Sequence, residues 1–143
     1  MKLVDLNVLL YAVNRESAHH DAVRTWWEGA LTSDEPVGLA WVVLLGFLRL
    51  ATNPRVFVQP LSIDAAAERI NAWLGHENVR VVGETEDHWT VLRWLLRESG
   101  TAGNLTTDAH LAALAITHGA VLGSCDADFG RFRGLRWENP LGS

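Results

Sequence analysis

At 143 residues, with 48% hydrophobic and 20% charged side chains, the chain has the size and composition of one globular domain, spanning 1–143, and is too apolar for disorder. Its net charge of -5 excludes a general nucleic-acid coat, so any nucleic-acid binding needs a local basic patch. The single cysteine, Cys125, excludes an internal disulfide framework and a cysteine-based zinc site. No apolar run approaches the roughly 20 residues that span a bilayer, and Asp5 interrupts any N-terminal signal pattern. A cytoplasmic protein with no membrane attachment is expected.

Lys2-Leu3-Val4-Asp5 reads as a first strand, and Asn7 to about Val13 as a short buried helix. Ala22, Val23, Trp26, Trp27 and Ala30 make a helical stripe within 18–31. A turn at 32–36 leads to a short strand at 37–39. Trp41 to Ala51 is apolar nearly all round and predicts a buried helix, which Asn53-Pro54 stops. Ser62 is a good N-cap for a helix running to about Leu74, with Asp64 in its first turn. Val79–Val82 is strand-like, and 86–98 is helical with Trp89, Leu92 and Leu96 on one face. Thr107 is expected to cap a helix over Asp108–His118, which Gly119 ends at the C′ position. A strand at 120–123, a turn at 127–132 and a last strand at 135–137 complete the chain. Alternating strands and helices predict an α/β fold, a parallel sheet with helices on both faces.

That order brings distant acids together. Helix 108–118 must cross from one edge of the sheet to the other, and strand 120–123 returns. Asp108 and Asp126 therefore share the carboxyl edge, and Asp5 joins them if the first strand is parallel to 120–123. Ligands bind at this edge, near the switch point in strand order. Three carboxylates gathered there repel one another, which Mg²⁺ or Mn²⁺ would relieve. Such ions activate water and stabilise charge on a phosphoryl group. Plainer roles exist: Asp108 as a first-turn acid in the helix dipole, Asp126 as cap of the turn around Asp128. Asp5 has no comparable structural explanation, because an acid just after a buried strand needs a partner. Asn7 either orients Asp5 or caps the first helix.

Val4-Asp5-Leu6-Asn7-Val8-Leu9-Leu10-Tyr11-Ala12 resembles the opening motif of PIN-domain ribonucleases. Gly103 to Ala115, centred on Thr106-Thr107-Asp108, resembles their central acid motif. Ser124-Cys125-Asp126-Ala127-Asp128-Phe129 is similar to their third motif, usually a Thr-x-Asp-x-Asp-Phe run. Phe47 to Phe57, including Arg49, resembles VapC-type toxins of the mycobacterial group. The resemblance implies a PIN-like fold with its active site at the carboxyl edge. It implies Mg²⁺- or Mn²⁺-dependent cleavage of RNA by the toxin of a type II toxin–antitoxin pair, held inactive by a VapB-type antitoxin. By motif position Asp5, Asp108 and Asp126 are the catalytic metal carboxylates, with Asp128 a further candidate acting from behind them. With the apolar helices and tryptophans, the resemblance also favours a homodimer.

The chain departs from the family in one respect. The helix at Trp41–Ala51 carries no acid, and Leu44 and Gly46 stand near the place of the usual glutamate. A catalytically weakened or inactive PIN-like protein that binds RNA or antitoxin is the alternative. Arg49 is the candidate contact to RNA phosphate, with Arg55 beside it, and surface ion pairing is the competing role. Arg131, Arg133 and Arg136 form the densest basic cluster. His110 lies two residues beyond Asp108 but points to another helix face. Trp26-Trp27 suits core and dimer contacts better than base stacking. A phosphoacceptor or phosphohydrolase domain using Asp5 needs a lysine late in the chain, and the one lysine is Lys2.

Overall fold

The fold was obtained as a computed structural model, described here over residues 1–142. Five parallel strands run in the order β3-β2-β1-β4-β5: β1 Lys2–Val4, β2 Val37–Ala40, β3 Val79–Val82, β4 Val121–Gly123 and β5 Arg136–Glu138. Six helices connect them: α1 Leu6–Val13, α2 His20–Thr32, α3 Trp41–Ala51, α4 Ile63–Leu74, α5 His88–Ser99 and α6 Thr106–Thr117. From β1 the chain steps outward to β2 and β3, then crosses back to β4 on the other side of β1. Right-handed crossovers therefore put α1–α4 on one face and α5–α6 on the other. The contacts agree: α1 packs on α2 and α3, α3 on α4, and α5 on α6.

The reversal of direction falls between β1 and β4. That is the switch point, where the connections leave in opposite directions and open a crevice at the strand ends. Lys2 pairs with Val121 and Val4 with Gly123, so both strands end level there.

The core lies on both faces of the sheet. All four residues of β2 are buried, as expected of a strand covered on both sides. Under α1–α4, Trp73 meets Trp27 edge to face at 5.9 Å and Phe47 at 4.9 Å. Both partners are almost wholly inaccessible. Full burial of such a side chain contributes about 1.5–3 kcal/mol. Trp26 instead brings the edge of its ring against Gly123, where there is no Cβ to obstruct it, and donates from Nε1 to Glu138 Oε1 at 2.8 Å. It is therefore a packing residue, like Trp27.

Several boundaries differ from the sequence reading. The first strand ends at Val4, not Asp5, because Asp5 is already the N-cap of α1. A short 3-10 turn, Gly103–Leu105, precedes α6, which starts at Thr106; Leu105 occupies the cap position, so Thr107 is a helical residue rather than the cap. On α5, His88 and Leu95 are the buried residues, and Trp89 points to solvent at 65% exposure rather than into the core. Gly119 does follow α6 with a left-handed φ of 63°, where a side chain would be strained.

Candidate active site

Asp5 is built into the junction of β1 and α1. Its Oδ1 accepts from the Leu6 amide at 2.7 Å, its Oδ2 accepts from Ser124 Oγ at 2.8 Å and from Asn7 Nδ2 at 3.1 Å. Its own amide donates to the Gly123 carbonyl at 2.9 Å, which ties it to the end of β4. Asp5 thus has the structural role that the sequence reading denied it. It caps a helix, and it remains at the switch point with a carboxylate fixed from three sides.

Ser124 is the hub. It is fully buried, directly after β4. Its hydroxyl donates to Asp5 and accepts from the Asp126 amide at 3.0 Å and from Asn7 Nδ2 at 3.2 Å. Asn7 closes the frame, since its Oδ1 accepts from the Cys125 amide at 3.0 Å. Asn7 therefore orients Asp5 and binds the two strand ends together. Sequence reasoning assigned Ser124 no role. The available signal was a lone hydroxyl placed immediately after a buried apolar run, where an unpaired polar group is costly.

Asp126 starts the turn Ala127–Arg131 by accepting from the Asp128 amide at 2.9 Å, so its plainer role as a cap is real. Asp108 stands in the first turn of α6. The acids feel one another across these elements. The Asp108 carboxyl is pushed up to about 6 by burial first, then by the charges of Asp5, Asp126 and Asp128, while Arg131 pulls it down. Asp5 is raised by burial and by Asp126, against the hydrogen bonds from Ser124, Leu6 and Asn7 that favour its charge. Cys125 is pushed up to about 11 by burial and by Asp5, so its thiol stays protonated and is no nucleophile.

The arrangement is an oxygen-only donor set under mutual repulsion, which is what a hard divalent cation relieves. Among the described residues, however, no three His, Cys, Asp or Glu side chains stand close enough to hold an ion by themselves. The donor chemistry fits Mg²⁺ or Mn²⁺.

The remaining candidates fall elsewhere. Arg49 is exposed in the last turn of α3, roughly 12 Å of helix rise from its start, where a cation suits the helix dipole. The cation among the acids is Arg131. Arg133 pairs with Glu98 at 3.9 Å, and Arg136 donates to the Gly119 carbonyl at the other end of the sheet, so the basic cluster of the sequence is split. His110 bonds His88 at 2.9 Å and lies 3.7 Å from Glu84, outside the hydrogen-bonded frame around Asp5. Lys2 is held by Glu138 at 3.6 Å and by the Trp26 ring, which removes the lysine a phosphoacceptor site needs. On α3, Leu44 is fully buried, and a Cβ on Gly46 would come within 2.6 Å of the Leu6 side chain. The space that a side chain at Gly46 would need is therefore filled by Leu6.

The PIN-domain family profile matches residues 2–135. Ribonuclease VapC37 of Mycobacterium tuberculosis is 49% identical over 140 residues, covering 98% of this chain and 97% of the relative. Ribonuclease VapC33 of the same species is 38% identical, with 99% of each covered. The VapBC2 structure from Rickettsia felis, bound to a promoter DNA fragment, superposes with a TM-score of 0.70 at 18% identity, over 96% of this chain and 97% of that one; at that identity it speaks for the fold. The chain belongs to the PIN-domain family, in its VapC ribonuclease branch.

Proposed function

We propose that this protein is the toxin of a type II toxin–antitoxin pair, an endoribonuclease that uses Mg²⁺ or Mn²⁺ and is neutralised by a VapB-type antitoxin. The observation that carries the reading is the β1–β4 switch point, where Ser124 hydrogen-bonds both the Asp5 carboxylate and the Asp126 amide. End-to-end similarity to curated VapC ribonucleases supports it.

Asp5, Asp108 and Asp126 would hold the ion, and Asp128, exposed and next to them, would act through water. The ion would supply a water of lowered pKa and charge stabilisation at the phosphoryl group of an RNA phosphodiester. The chain's own residues prepare the rest. Ser124 and Asn7 keep Asp5 in one rotamer and tie it to Asp126, so these two carboxylates need little reorganisation when the substrate arrives. Asp108, whose carboxyl burial and the neighbouring acids push up to about 6, would be drawn back to its charged form by a bound cation. Arg131 places a cation where a phosphate would approach.

A second reading rests on one specific feature, the absence of any carboxylate on α3. It makes the chain a PIN-like protein that binds RNA or antitoxin without cutting. Induced expression in a bacterial host separates the two. The toxin reading expects growth arrest with RNA fragmentation in the wild type, no arrest with Asp5→Asn, and relief when the cognate antitoxin is co-expressed. Normal growth and intact RNA with soluble wild-type protein favour the second reading.

A further inference from the structure

The exposed side of α5 alternates aromatic and cationic residues in a pattern the core does not need. Trp89 is 65% exposed and Trp94 43%. At 100° per residue, Arg93 and Arg97 fall between the two tryptophans around the helix, so a guanidinium row is flanked by an indole on each side. Neither arginine pairs with a carboxylate among the described residues. Two shallow grooves of about 430 Å³ each follow the row. One is lined by Trp94, the other reaches Gly100 and Thr101, and Trp89 and Arg93 line both. The second leads along the connection into α6, whose first turn holds Asp108. At the same end, Glu98 of α5 meets Arg133 from the segment after Asp126.

We propose that the Trp89–Arg93–Trp94–Arg97 face of α5 is a docking track for single-stranded RNA, which leads the strand to the acids at the switch point. The inference rests on the ribonuclease reading and adds where the substrate lies. Charge decides the occupant. The chain carries a net charge of -5, and this row is a place where unpaired cations meet flat aromatic surface. A phosphate backbone neutralises Arg93 and Arg97 while bases stack on the indoles. An apolar helix from a protein partner would cover the tryptophans but desolvate two guanidinium groups without a counter-charge.

The test is fluorescence anisotropy of a short fluorescein-labelled single-stranded RNA with the full chain, in EDTA so that no cleavage competes. Trp89→Ala and Trp94→Ala should each weaken binding roughly 5- to 100-fold, with much of it restored by phenylalanine at either position. Arg93→Gln with Arg97→Gln should lower the slope of log affinity against log salt by about 1.4. Circular dichroism and sedimentation of each variant accompany the titration. Unchanged affinity and salt slope in folded variants overturn the proposal, and so does an affinity loss that merely follows loss of a dimer, which would make the face an interface between copies. Wild-type protein that binds RNA through this face but never cuts it with Mg²⁺ or Mn²⁺ leaves the track standing and overturns the ribonuclease reading instead.

Discussion

Asp108 carries a proton to unusually high pH, and that has a measurable sign. An aspartyl carboxyl in an unfolded chain titrates near 3.9. In the native protein burial and the neighbouring acids push it up to about 6. Between those values the native state binds more protons than the unfolded one, so stability falls as pH rises. The increment is complete below about pH 4 and gone above about pH 6. Asp108→Asn removes it. In metal-free buffer the Tm of the variant should therefore gain on wild type as pH rises from 4 to 7, and added Mg²⁺ or Mn²⁺ should narrow the gap. A Tm difference that does not change with pH would show that Asp108 is not held in this field. Ser124 makes a different kind of claim, since its hydroxyl serves Asp5, Asn7 and Asp126 at once. Ser124→Ala leaves buried polar groups unmatched, with an expected loss of about 1–3 kcal/mol in chemical denaturation and a slower cleavage rate. The acids were readable from the sequence because each follows or opens an element. Ser124 was not, and Arg131 was legible only as one of three clustered arginines, because what singles each out is what the tertiary fold sets beside it.

At the scale of elements, β4 and α2 are locked by one missing side chain. A Cβ on Gly123 would run into the Trp26 ring, which its bond to Glu138 prevents from swinging away. Gly123→Ala should cost about 1–3 kcal/mol by overpacking, read as a lower denaturation midpoint. Because Gly123 also accepts from the Asp5 amide, metal affinity should fall with it. On α3, Gly46→Glu alone should destabilise, since Leu6 occupies the space. Paired with Leu6→Ala, the new carboxylate gains room beside Asp5, and calorimetry should show tighter Mg²⁺ binding. Failure of the pair to tighten binding would mean that α3 does not face the site. The helices were legible from their apolar periodicity, and the strands from short apolar runs. The start of α6 and the outward turn of Trp89 were not. A 3-10 turn at Gly103–Leu105 has no periodic signature, and the stripe of α5 reads equally well about two neighbouring axes.

For the whole molecule, the alternation of strands and helices predicted the parallel sheet, and parallel pairing of β1 with β4 is what brings Asp5 to Asp126. The order β3-β2-β1-β4-β5 was not written in any local pattern, because crossovers are fixed by packing over the entire sheet. Motif order suggested convergence of the acids, and the register sets the ends of β1 and β4, which Asp5 and Asp126 follow, side by side. The central claim is that these acids form one metal-dependent site for RNA hydrolysis. Its most direct test is single-turnover cleavage of a defined RNA by purified wild type and Asp5→Asn, each with Mg²⁺ or Mn²⁺ and with EDTA. The account predicts cleavage by wild type only with metal, and a loss of at least about 100-fold in a folded Asp5→Asn protein. Equal cleavage by both proteins, or cleavage that persists in EDTA, would contradict it.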